Sequence, residues 1–102
     1  MRLYHRTSRG VADAIVQGGF RDGSGYYGTD LLWTGVWLSD RPLDGNEGAF
    51  GDTLLAVEMD EAAVAEFEWV EDEKPYREFL VPASLVNERA SICIIPEPES
   101  WP

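Results

Sequence analysis

This chain carries only one long stretch with a clear helical signature, and that stretch is its second element. Ser8 is a good N-cap, Val11, Ala14 and Ile15 of RGVADAIVQ share one helical face, and Gly18–Gly19 ends the run. Before it, RLYHRT (2–7) alternates Leu3 and His5 with Tyr4 and Arg6, a strand pattern. After it, residues 21–34 hold three glycines and no clean period, and read as a long loop of the kind that often covers a site. From there the pattern is mostly strand: GVWLSD (35–40), DTLLAVEMD (52–60), a possible strand in FEWVED, REFLVPASLV (77–86) to about Val81, and ASICIIP (90–96). EAAVAEF offers one or two helical turns, Pro42 suits a turn or first helical position, and Pro82 ends a strand or marks an edge. The tail PEPESWP reads as extended. One helix followed mainly by strands predicts an α+β fold with an antiparallel or mixed sheet rather than alternating βαβ units. No strand–turn–helix G-x-G-x-x-G supports a Rossmann fold, and GGFRDGSG follows a helix and lacks a P-loop lysine.

The 102 residues amount to one domain. Four Trp, four Tyr and four Phe are ample for its core and leave some over for a binding cleft. Nineteen acidic residues against eight basic ones, a net charge of −11, argue against nucleic acid as the main partner and against an anionic membrane surface. A small anion remains open to it, held by backbone N–H groups or one or two arginines. Cys93 is expected as a small buried core residue, and one Cys with one His predicts no metal site. The N-terminus is polar and no apolar run approaches the roughly 20 residues of a membrane span, so the expected location is cytoplasmic.

Three segments carry candidate chemistry: LYHRTS, a strand with the only histidine; GVWLSD, a strand with Trp37 beside small and polar residues; and YREFLVP, which sets Glu78 against an apolar run. Their order and wording resemble the ADP-ribosyltransferase superfamily, on its diphtheria-toxin and poly-ADP-ribose-polymerase side, where a His-Tyr-Glu triad on three strands forms an NAD-binding cleft. YHRT (4–7) is similar to the family's Y-H-G-[ST]. GVWLSD followed by NEGAF is similar to its G-[IV]-Y-[FL]-[AS] and the short helix behind it, with Trp37 in the tyrosine position and Phe50 as the aromatic that stacks on nicotinamide. EFLVP (78–82) is similar to its E-[YF]-[IL]-V, which gives Glu78 the catalytic position. The resemblance spans about residues 3–86. It departs from the family pattern at Arg6 in place of glycine, at Trp37 without a hydroxyl, and at Tyr76, where arginine-modifying members have Glu or Gln.

The resemblance implies a small ADP-ribosyltransferase-like domain with a split sheet, one N-terminal helix and short helices. It implies NAD as substrate and an unknown acceptor, with protein, nucleic acid, a small molecule and water all open and nucleic acid disfavoured by the charge. Cleaving the nicotinamide–ribose bond passes through an oxocarbenium-like state. Glu78 would accept a hydrogen bond from the ribose 2′-hydroxyl, aromatic faces at Trp37 and Phe50 would hold nicotinamide, His5 would anchor a ribose hydroxyl, and Arg6 or Arg21 would meet the pyrophosphate. Nothing in this chemistry requires a metal.

Structural readings stand beside each of these. His5 and Trp37 can be packed side chains, and Glu78 a solvated acid. Thr7 and Ser39 can bond a ligand or satisfy backbone groups. Tyr26 and Tyr27 can cap a ligand or pack the loop down, and EWVEDEK (68–74) reads as a solvated turn. Two other functions stay open: a non-catalytic module that binds an ADP-ribose-like ligand or a protein, and RNA 2′-phosphotransfer, which the scarcity of basic residues disfavours.

Overall fold

The computed structural model describes residues 1–43 and 49–95. Strand β1 (Arg2–Thr7) leads into helix α1 (Arg9–Gly18), then β2 (Gly23–Gly25), β3 (Trp33–Ser39) and β4 (Thr53–Glu58). A short helix α2 (Glu61–Val64) continues into a 3₁₀ turn (Ala65–Phe67), followed by β5 (Glu68–Trp69), β6 (Glu78–Val81), helix α3 (Ala83–Arg89) and β7 (Ser91–Ile95). The seven strands form one sheet in the order β5-β6-β3-β1-β4-β7, with β2 also on β3, and every pairing is antiparallel. The α+β class follows as the sequence predicts. The NEGAF segment lies partly, and the PEPESWP tail wholly, outside the described residues.

The helices lie over one face. Ala12 and Ile15 of α1, Val64 of α2, and Ala83 and Val86 of α3 share a core with Leu3, Val36, Leu38, Leu55, Val57, Phe79 and Val81 from the strands. Strand alternation turns the intervening residues to the opposite face. There Tyr4, Arg6, Trp37, Ser39, Leu54 and Glu78 border a common space.

The sheet consists of two ladders with a thin join. On one side β1 pairs with β4 through all six of its residues, and β4 with β7 through five. On the other, Val36–Ser39 of β3 pair with β6, and Trp33–Gly35 with β2. Between the two, β1 and β3 share one register pair, Tyr4 with Ser39. Beyond that pair the strands part, and the opening leaves room for side chains. Gly35, with φ of +147°, sits where β3 passes from one partner to the other, and a Cβ there would come within 3.0 Å of the Val81 carbonyl oxygen. Only glycine tolerates both conditions.

Three expectations change. Residues 21–34 contain strand β2, which Gly-Ser-Gly gives no side-chain pattern to announce. Pro82 does end a strand, and it also starts helix α3. That helix is capped from far away, since Asp22 Oδ1 accepts the Ala83 N–H at 2.8 Å. Cys93 is exposed rather than buried: β7 is an outer strand, and its alternation turns Ile92 and Ile94 to the core while Cys93 points away.

Candidate active site

The parting of β1 and β3 opens a cleft of about 340 Å³ on the face away from the helices. His5, Trp37 and Glu78, from three strands far apart in sequence, all line it, together with Arg6, Ser39, Phe50 and Tyr27. A second cavity of about 600 Å³ lies on the helix side, bounded by Val11, Ala14 and Ile15 of α1, by Gly19 to Arg21 and by Gly35. The two cavities share His5, Tyr27 and Trp37 as a common wall. The helical face read from the sequence at Val11, Ala14 and Ile15 therefore borders this cavity, while Ala12 and Ile15 reach the core.

His5 is half-buried at the split. Its Nδ1 lies 2.8 Å from the Trp37 carbonyl oxygen, and the edge of its ring meets Phe20 at 5.2 Å. A carbonyl oxygen only accepts, so Nδ1 carries the hydrogen. Burial lowers the imidazole pKa below its ordinary value, and the Trp37 hydrogen bond offsets this only in part. The ring is therefore neutral near pH 7, and Nε2, which has no hydrogen-bond partner among the described residues, is left as an acceptor.

Trp37 stands in an aromatic group on the cleft wall. Its ring meets Tyr27 at 5.0 Å and Trp69 at 5.2 Å, and Trp33 packs on Trp69 at 5.2 Å, all edge to face. Tyr27 takes φ of +50°, a conformation a bulky residue rarely adopts, and with it reaches the wall shared by both cavities. Tyr27 thus packs the loop against Trp37 and borders both cavities.

Glu78 sits on β6 opposite Ser39. Its Oε1 receives a hydrogen bond from Lys74 Nζ at 2.6 Å, with the two side chains only 14% and 18% exposed, while no described residue donates to Oε2. The expected solvated turn at 68–74 is thus tied into the cleft through its last residue. Sequence reading passed over Lys74, although it is the one basic residue in EWVEDEK and stands four positions before the acid.

The remaining expected residues divide. Phe50 lines the cleft from its rim, 74% exposed. Ser39 also lines it, but its hydroxyl donates to the Arg41 carbonyl oxygen at 2.7 Å, the backbone role foreseen for a strand-end serine. Arg6 borders the cleft with Nε donating to the Leu43 carbonyl oxygen at 2.6 Å and Nη1 directed at that of Gly51 at 3.4 Å, which fastens both ends of the 43–51 connection to β1. Thr7 stands outside the cleft, beneath Gly51, where a Cβ would fall 2.3 Å from the Thr7 carbonyl oxygen. Arg21 lines the second cavity and makes no hydrogen bond or ion pair with the described residues. No group of three or more His, Cys, Asp or Glu side chains that could hold a metal ion occurs among the described residues, and no described helix is long and apolar enough to cross a membrane. No family model, curated protein or solved structure matches this chain.

Proposed function

We propose that the chain is an NAD-using enzyme that cleaves the nicotinamide–ribose bond and passes ADP-ribose to an acceptor or to water. The observation that carries this reading is the meeting of His5, Trp37 and Glu78 in one cleft at a split in the sheet. Two adjoining cavities with a common aromatic and histidine wall suit the two halves of a dinucleotide.

In this reading nicotinamide lies against Trp37, Tyr27 and Phe50. Glu78 Oε2 accepts the 2′-hydroxyl and stabilises the positive charge that grows on the ribose as the C1′–N bond breaks. Nicotinamide leaves with the bonding electron pair, and the acceptor adds at C1′ and gives up its proton. Neutral His5 accepts a ribose hydroxyl at Nε2. Arg21, which lines the second cavity and has no partner among the described residues, takes the pyrophosphate; Arg6 is already occupied with the 43–51 connection. The reading goes with a cytoplasmic setting, where a free exposed thiol such as Cys93 stays reduced.

The test is nicotinamide release from NAD by the purified protein, alone and with cell extract, against Glu78→Gln. Release by the wild type and not by the variant supports the reading; release only with extract points to a macromolecular acceptor. A second reading, a non-catalytic module for the same ligand, draws on Trp37, which lacks the hydroxyl of the family's tyrosine. NAD binding without release under either condition would favour it.

A further inference from the structure

The connection between β5 and β6 is built around one ammonium group. Trp69 Nε1–H donates to Glu71 Oε1 at 2.7 Å, Glu71 Oε2 lies 3.5 Å from Lys74 Nζ, and Lys74 Nζ donates to Glu78 Oε1 at 2.6 Å. The ring of Tyr76 lies 5.4 Å from the same ammonium, and the Arg41 guanidinium covers that ring at 4.9 Å. Trp69 packs on Trp37, so the chain of contacts runs from the aromatic wall of the cleft round to its acid. We propose that Lys74 is a positioning residue of the cleft: it fixes one oxygen of Glu78, so that the other oxygen is presented to a ligand hydroxyl.

Lys74 is the cation in ion-pair contact with Glu78 among the described residues. The other charged or titratable groups around the acid are Tyr4, His5 and Arg6 from β1, Asp40 and Arg41 after β3, and Glu71 and Tyr76 on the connection. His5 is neutral near pH 7, and Arg6 and Arg41 have partners of their own. Burial works against the Lys74 charge, but the Glu78 hydrogen bond, with the charges of Glu78 and Glu71, holds its pKa above the ordinary lysine value. An ammonium suits this place because it directs separate hydrogens to two acids that do not face each other.

The role of a presented carboxylate rests on the enzymatic reading above, and the test separates the two. The Lys74 ammonium is titrated by NMR of its side-chain methylene next to nitrogen, with the signal assigned from Lys74→Met, in wild type, Glu78→Gln and Glu71→Gln. The wild-type midpoint should lie above that of an ordinary lysine, Glu78→Gln should lower it, and Glu71→Gln should lower it by less. If NAD is turned over, Lys74→Met should lower kcat more than it changes KM. A midpoint that Glu78→Gln leaves unchanged overturns the proposal; should that variant fail to fold, a midpoint that Glu71→Gln leaves unchanged overturns it equally. The titration needs no NAD, so a wild type that releases no nicotinamide overturns the enzymatic reading and leaves this arm standing.

Discussion

Two neighbours on β6, Glu78 and Phe79, divide the molecule between them. Phe79 points to the helices, is 0% exposed, and belongs to a core that α1, α2 and α3 close from one side. Glu78 points the other way, into a cleft where one of its oxygens has no partner among the described residues. The same alternation along β3 buries Leu38 and gives Trp37 to the cleft. On the helix side a closed core surrounds Phe79, and the second cavity opens only at its border beside α1. The other face keeps acceptors at His5 Nε2 and Glu78 Oε2 that no described residue satisfies.

That contrast breaks most sharply at Phe79. Phe79→Ala should cost about 3–5 kcal/mol of stability, read from denaturant unfolding, and should damage the cleft only by loosening the whole fold. Glu78→Gln, one residue away, should do the reverse: about a 100- to 1,000-fold loss of nicotinamide release with little change in the unfolding midpoint. Comparable stability losses in both variants would mean that the two faces do not differ in the way described.

The helix side holds a polar clamp that sharpens the comparison further. Asn87 of α3 accepts the Phe20 N–H at 2.7 Å and donates to the Phe20 carbonyl oxygen at 2.9 Å. Asn87→Ala leaves both backbone groups without their partner and should cost about 1–3 kcal/mol, again by denaturation. The smallest effect belongs to His5, which lies between the two faces. Its folded-state pKa is below the unfolded value of about 6.5, so the unfolded chain binds the proton more readily. Stability should be full above that value and fall as the pH drops through about 6.5 toward the folded pKa, by at most about 1.4 kcal/mol per pH unit. His5→Asn, which keeps a donor for the Trp37 carbonyl, should flatten the slope between pH 7 and 5.5 in thermal unfolding.

What the sequence made legible follows from where each signal resides. Helix α1 carries its own cap in Ser8 and its own stop in the glycine pair, so it could be read locally. The apolar runs of β4, β6 and β7 were equally self-contained. Helix α3 was not: its first residue follows a proline that also ends a strand, and its cap comes from Asp22, 61 positions earlier. The site shows the same division. His5, Trp37 and Glu78 could be named from three short motifs, but Lys74 looked like one more charge in a polar turn, because its meaning lies in a 2.6 Å contact with Glu78. Thr7, chosen from its place in YHRT, stands at the end of the β1–β4 ladder against Gly51 and does not line the cleft.

The one pair of residues joining β1 to β3 has a mechanical consequence. Two stiff plates meet along a seam with almost no backbone ladder to lock it, and what keeps them together is the oily contact of Leu3, Leu38 and Phe79 on the side away from the cleft. Such a joint resists being pulled apart, because that would wet the core, but yields to a slight scissoring that leaves the core packed. The width of the gap beside His5 is thereby set by core packing and the side-chain hydrogen bond from His5 to the Trp37 carbonyl rather than by a backbone ladder. Amide exchange should accordingly be faster in β3 next to the seam than in β4, which is paired on both edges.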